Sequence, residues 1–223
     1  MPADMSANHK GMLVPARYPQ IKRIPLVGLK EDVRKDKIMP MDDAKFLLSG
    51  RVIVEEKMDG RCSRHEGDRF IIFSEDLLWK HSIHYRVPAR FAVIDIFDPQ
   101  CGRFLPREEK ESVFAAIRRG AVKIGNEGSS SFFLVPLITE GKFRIGELFS
   151  LIGLSKYAFD PLTKGSTSME GIVVKQNRSL FAVEFDYAVG KIVKKEFTDG
   201  ITKHYVRKPP ERNLINPNFN GSF

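Results

Sequence analysis

VEEKMDGR, residues 54–61, ends a run of β-branched residues with a lysine set among three carboxylates and a glycine three positions later. The valines and isoleucine of 51–58 predict a strand. Side chains alternate along a strand, so Glu55, Lys57 and Asp59 share one face while Glu56 points away. Gly60 lets the chain turn, or lets a ligand approach the backbone. A protonated lysine is a poor nucleophile; burial or a neighbouring cation lowers its pKa, and carboxylates raise it. The carboxylates alone therefore work against an activated Lys57, whereas a bound divalent cation would neutralise them. The stretch is either a surface ion-pair cluster or a nucleophile that needs a metal and a phosphorylated substrate.

Outward from it, a second strand over 62–65 should turn at Glu66-Gly67-Asp68 and return over 69–74 as its antiparallel partner. RFAVIDIFD (90–98) has the composition of a buried strand yet carries two aspartates. Further strands are expected over 132–139 and 190–197, with 171–175 pairing with 181–185. Helices are expected over 41–49, with Asp42 as N-cap, over 106–119, where proline starts the helix and acids fill its first turn, and over 145–154. Strands dominate and helices are interspersed, so the fold class is α+β with antiparallel sheet. One domain over 15–208 is expected, after a flexible tail (1–14) and before an irregular Pro/Asn-rich end (209–223).

The 223 residues carry 36 Lys+Arg against 28 Asp+Glu, a formal charge of +8, and 42% are apolar. That suffices for a real core and predisposes the chain to polyanions. Cys62 and Cys101 make neither a disulfide framework nor a structural zinc site. There is no apolar run of membrane-spanning length and no signal-peptide pattern, which leads to the expectation of an intracellular protein with no membrane partner.

KMDG (57–60), EGIVVK (170–175) and KIVKKEF (191–197), in that order, resemble the motifs of the covalent nucleotidyltransferase superfamily, the ATP-dependent ligases and mRNA capping enzymes. The resemblance extends over 17–208. Within the superfamily the chain is most similar to RNA ligases, through DLLWKHSIHYRVPARFAVIDIFD (76–98), RYPQI (17–21), and KHY (203–205) followed by Asn213. The resemblance implies an antiparallel-sheet nucleotidyltransferase domain, an ATP-grasp-like ligase fold. With 26 residues after Phe197, no OB-fold domain is expected to follow it.

It also implies roles. Lys57 would attack the α-phosphate of ATP and carry AMP, which passes to an RNA 5′-phosphate before a 3′-hydroxyl displaces it. Asp59 would sit by the ribose or assist the metal. Glu55 would meet the adenine edge, with Glu56 as the off-by-one alternative. Arg61 or Arg64 would hold ribose or phosphate, and Glu75 the ribose. Glu170 would hold Mg²⁺ or Mn²⁺. Lys175, Lys191 and Lys194 (with Lys195 in a second register) would neutralise phosphates. Glu170 and Lys175, five apart, can both line one pocket only if the chain kinks at Gly171. The family's adenine-stacking aromatic falls at Ile94, with Phe97 as a substitute. Three alternatives stay open: a non-catalytic nucleic-acid-binding module, a GTP-using capping-type enzyme, and a ligase acting on DNA.

Overall fold

A computed structural model describes residues 5–7, 13–25, 37–125, 127–195, 197 and 210–219. Its elements run β1 Met5–Ala7, β2 Leu13–Pro15, β3 Lys22–Arg23, α1 Met41–Leu47, β4 Val52–Glu56, β5 Arg61–Glu66, β6 Ile71–Asp76, β7 Arg86–Val87 and β8 Phe91–Asp98. They continue with β9 Arg103–Phe104, α2 Arg107–Arg118, β10 Phe132–Leu134, β11 Leu137–Gly141, α3 Ile145–Leu148, β12 Leu154–Phe159 and β13 Ser166–Ser168. The last are β14 Gly171–Gln176, β15 Leu180–Phe181, α4 Phe185–Ala188, β16 Val189–Val193 and β17 Leu214–Ile215. The mixed α+β class expected from the sequence is what the chain adopts, and no OB barrel occurs among the described residues.

Two sheets carry the fold. One has the order β11-β4-β14-β16-β3; the other runs β15-β9-β8-β6-β5, with β10 added to β8. Pairing is mainly antiparallel; β10–β8, β16–β3 and β17–β7 are parallel. Phe73, Phe97 and Phe104 of the second sheet pack between the sheets against Val173 and Val189 of the first. Outside the first sheet, Val52, Val54, Ile172 and Ile192 pack under Leu47 of α1 and Leu148 of α3. Outside the second, Ile72, Val93 and Ile96 pack against Ile117 of α2. Covered on both faces, β4 is buried at all five positions, as expected of a strand inside a layered core. Val52 and Val54 face the helices, which leaves Ile53, Glu55 and Lys57 facing the other sheet.

Five local expectations need correction. The helix expected over 145–154 is α3 followed by a 3-10 turn over Phe149–Leu151, and Leu154 already opens β12. Residues 132–139 are two strands in different sheets: β10 runs beside β8, Pro136 interrupts the ladder, and β11 joins β4. β14 pairs with β4 and β16, not with 181–185, which hold the end of β15 and helical turns. Strand β16 ends at Val193. Pro40, not Asp42, holds the N-cap position of α1, and Asp42 and Asp43 lie in its first turn. Part of the expected N-terminal tail, β1 with β2, forms a short ladder. In the C-terminal stretch, Asn213 is buried and β17 docks on β7. The KHY motif at 203–205 lies outside the described residues.

Gly171 marks the closest strand approach. A Cβ there would lie 2.0 Å from the Ile192 carbonyl oxygen and 2.9 Å from Val193 Cα. Both are backbone atoms of β16 and cannot swing aside. Gly171→Ala is expected to cost about 1–3 kcal/mol in urea unfolding, while Gly146→Ala, which meets nothing within 4 Å, should be near neutral. Equal stability of the two variants would contradict the packing described.

Candidate active site

A cavity of about 270 Å³ opens between the sheets, lined by Lys57 and Glu55 of the first and by Glu75, Cys62 and Ile94 of the second. Residues 18–21, just before β3, form one wall and Lys191 of β16 another. The apolar walls are Ile21, Met58, Ile94, Val135 and Val173.

The chemistry gathers at one end. Lys57 Nζ lies 2.6 Å from Glu170 Oε2, with both side chains mostly buried. Glu170 is held just before the first ladder residue of β14: its carbonyl accepts from Lys194 N at 2.9 Å, and Lys57 N donates to the Gly171 carbonyl at 3.0 Å. It therefore escapes the alternation that sends Val173 and Lys175 inward between the sheets. Burial raises the Glu170 carboxyl against the lowering effect of Lys57. Burial also pushes Glu75 up to about 7; Lys57 opposes this, and Asp59 and Glu170 reinforce it. Lys191 is pushed down to about 8 by burial and then by the positive charges of Lys57 and Arg23. Two amines and three carboxylates thus share one electrostatic neighbourhood.

Other residues singled out in the sequence are placed differently. Asp59 Oδ2 accepts from Ser82 N at 2.7 Å and from the Ser82 hydroxyl, while Asp59 N donates to the Tyr85 hydroxyl at 3.0 Å. Its carboxylate is thereby tied to the loop before β7. Gly60 is needed for packing, since a Cβ there would come within 2.8 Å of the Asp76 carbonyl oxygen. Arg64, on the Cys62 face of β5 by alternation, pairs with Glu66; Arg61 is exposed on the other face. Lys194 donates to Ser168 Oγ at 2.8 Å. Ile94 lines the cavity, but Phe97 does not: it is fully buried against Phe104, too deep to stack on a ligand. Tyr18 is the aromatic of the wall. Its hydroxyl donates to Asp95, and its ring packs edge-on against Phe104 and Phe185.

Glu55 and Lys175 belong to a buried ionic network beneath the cavity. Glu55 Oε1 accepts from Lys110 Nζ and Arg107 Nη1, each at 2.6 Å, and Glu55 Oε2 is 3.0 Å from Lys175 Nζ. Lys175 also donates to Asp95 Oδ2 at 2.8 Å. Burial alone would raise Glu55, but Lys110, Lys175 and Arg107 hold it well below the usual carboxylate range. Neither Arg107 nor Lys110 stands out in the motifs. Their signal is positional: residues 107, 110, 114 and 117 share one helical stripe, and two of the four are cations on a face otherwise apolar.

Glu56 borders the cavity too, but its side chain alternates away from Glu55. It accepts from the Ser155 hydroxyl and weakly from Lys156 N, and burial pushes it up to about 7 against those hydrogen bonds. A carboxyl held above its unfolded value contributes stability that is full below about pH 4.5 and is lost as pH rises through 7. Glu56→Gln should remove that loss, gaining up to about 3 kcal/mol on wild type between pH 4.5 and 8. Urea unfolding at the two pH values measures it, and parallel profiles would refute the assignment.

Among the described residues no group of three or more His, Cys, Asp or Glu is poised to hold a metal alone, and no helix is long and apolar enough to cross a membrane.

Two facing sheets closing on a cavity that holds the Lys57 amine form a nucleotidyltransferase-type domain. The RNA ligase family model matches residues 61–194, more than half of the sequence, and the chain belongs to that family. Among solved structures, an apo mutant of the Naegleria gruberi RNA ligase superposes with a TM-score of 0.50 at 14% identity, over 89% of this chain and 63% of that one. The same ligase with PPi gives 0.50 at 12% identity, over 86% and 64%. A mutant of it with ATP and Mn gives 0.50 at 12% identity, over 83% and 64%. At such identities the likeness concerns the fold, and the chain spans less than two thirds of the length of these structures. No curated protein matches it.

Proposed function

We propose that the protein is an ATP-dependent RNA ligase that joins 5′-phosphate and 3′-hydroxyl ends through a lysyl-AMP intermediate on Lys57. The observation that carries this is Lys57 Nζ at 2.6 Å from Glu170, inside a cavity that also holds Glu75 and Lys191. Membership of the RNA ligase family supports the substrate class. The Naegleria ligase, with ATP and Mn in one structure and PPi in another, supports the cofactor.

In the first step Nζ, once it has lost a proton, attacks the α-phosphorus. The bond from that phosphorus to the bridging oxygen breaks, and pyrophosphate leaves with the electron pair. AMP then passes to the RNA 5′-phosphate, and the 3′-hydroxyl displaces AMP. Such transfers depend on positioning and charge stabilisation along the line of displacement. Lys57 and Glu170 hold each other in register for that approach. Lys191, two strands along the same sheet from the Lys57 strand, is a further cation of the cavity, suited to phosphate oxygens. The apolar walls exclude water from the base, with Ile94 and Val173 in the role an aromatic would otherwise fill.

A divalent cation fits the donors present. Glu75 Oε2 is buried without a hydrogen-bond partner, and Glu170 and Asp59 act on it electrostatically. Mg²⁺ commonly takes one or two carboxylates and completes its shell with water and phosphate. Glu170 and Glu75 would hold it, and when bound it would neutralise these acids and phosphate charge.

The test is incubation with ATP labelled at the α-phosphate, then denaturation, with labelled GTP in parallel. Covalent label from ATP supports the reading; label from GTP alone moves the protein to the capping class. No label from either, on protein freed of bound AMP, defeats the proposal.

A further inference from the structure

Trp79, the one tryptophan of the chain, is kept out of the core at 39% exposure. Exposed Arg212 holds its guanidinium carbon 4.8 Å from the centre of the indole ring, over its face. Backbone fixes both residues. They bridge each other, Lys80 N donates to the Glu211 carbonyl at 2.8 Å, and Asn213 N donates to the Leu78 carbonyl at 3.2 Å. The buried Asn213 side chain clamps the two segments further, donating to the Leu77 carbonyl and accepting from Tyr85 N, each at 2.9 Å. The neighbouring acid, Glu211, is met by Lys80 at 2.9 Å and His84 at 3.1 Å. Along the same two segments Arg86, in register with Leu214, lies over the rings of Phe159 and Phe219 at 5.1 and 5.5 Å. The strip thus repeats one device, a cation laid on an aromatic face. It also rims the end of the cavity that holds Lys57. Leu77 packs in one cluster with Met58, Ser82 N donates to Asp59, and exposed Arg61 lies across the ladder from Asp76, three residues before Trp79.

We infer that Trp79 and Arg212 form a stacking platform for an unpaired nucleotide of the RNA, and that the protein joins ends that are single-stranded there rather than nicks inside a continuous duplex. This rests on the RNA ligase reading above. Inside a duplex the faces of each base are covered by its neighbours, so only an unpaired base can lay a face on an indole or a guanidinium. Such stacking accepts any base, which suits an enzyme that joins ends of varied sequence. Arg212 and Arg61 add positive charge for the phosphates of the same strand. Because the ladder between the two segments already fixes the platform, little ordering is left to be done on binding. Its place beside Asp59 sets the stacked nucleotide on the approach to Lys57.

A single tryptophan makes the wild-type chain its own probe, since all indole fluorescence comes from residue 79. The full chain is titrated with a short 5′-phosphorylated single-stranded RNA and, separately, with the same strand placed in a nicked duplex. Affinities of dye-tagged forms of both RNAs are measured by anisotropy on wild type, Trp79→Ala and Trp79→Phe. The inference expects the single strand to quench the tryptophan and to bind more tightly than the nicked duplex. Trp79→Ala should weaken single-strand binding roughly ten- to hundredfold, Trp79→Phe should recover part of the loss, and duplex binding should change much less. Saturation by single strand without quenching overturns the inference, and that readout needs no variant to fold. So does tighter binding of the nicked duplex, an equal loss for both RNAs, or a Trp79→Ala variant that binds RNA normally, including one that has merely lost self-association through this face. Adenylylation from labelled ATP is scored separately, and it should be equal in wild type and Trp79→Ala because Trp79 does not line the cavity. Label without quenching rejects the platform and leaves the ligase reading standing; no label in wild type rejects the ligase reading itself.

Discussion

Lys57→Arg is expected to remain folded and to take no label from ATP, a loss of roughly three orders of magnitude or more, as when a nucleophile is deleted. A guanidinium keeps the positive charge and can still meet Glu170, so the 2.6 Å ion pair is replaced rather than broken. It does not give up its proton, so it cannot attack phosphorus. Lys57→Met should also take no label, but it leaves the Glu170 carboxylate buried without its cation. It should therefore unfold at lower urea, by about 1–3 kcal/mol. Comparing the two separates chemistry from packing. A second nucleophile must be tested in the same assay: Lys191, pushed down to about 8, carries more free amine at neutral pH than an ordinary lysine. Mapping the labelled peptide decides between them. Label persisting on residue 191 in Lys57→Arg would reassign the nucleophile, and Lys191→Met would then be the inactive variant.

The sequence carried the signals of this end of the site because they lie in short contiguous motifs. KMDG places the lysine at the end of a strand, and EGIVVK places Glu170 one residue before another. Two antiparallel neighbours, β4 and β14, are enough to bring Lys57 and Glu170 together. The hairpin of β5 with β6 was legible for the same reason, being local and bounded by Glu66-Gly67-Asp68. What could not be read was long-range. The assignment of β10 and β11 to different sheets depends on which strands compete for each edge, and only Pro136 hints at the break. The pairing expected for 171–175 with 181–185 was the nearest in sequence, yet two more distant strands flank β14. The face of a charged residue also proved insufficient. Glu55 and Lys57 share a face as alternation requires, but Glu55 lies where α2 crosses and Lys57 where the cavity opens. Nothing within 54–61 reports that a helix some fifty residues later brings Arg107 and Lys110 onto the first of them.

That crossing yields the second large effect. Three cations, Arg107, Lys110 and Lys175, surround two buried acids, Glu55 and Asp95. Removing an acid leaves an excess of buried positive charge, so Glu55→Gln should cost about 3–5 kcal/mol in urea unfolding at pH 7. Lys110→Met should cost less, about 1–3 kcal/mol, because Arg107 and Lys175 still satisfy Glu55. Since Glu55 is held below its ordinary value, its contribution is present above about pH 4.5 and fades as pH falls below that. The Glu55→Gln deficit should accordingly shrink in acid, and a deficit constant from pH 7 to pH 3 would refute an ionic origin. The same variant tests the role that the family resemblance suggests. A carboxylate that reads the adenine edge needs a free acceptor facing the base. At 1% exposure, Glu55 spends Oε1 on Lys110 and Arg107, and Oε2, though without a hydrogen-bond partner, is held by charge 3.0 Å from Lys175. Glu55→Gln should thus lower stability and leave the preference for ATP over GTP unchanged. A preference that moves toward GTP would return Glu55 to the base and make the network its support rather than its purpose.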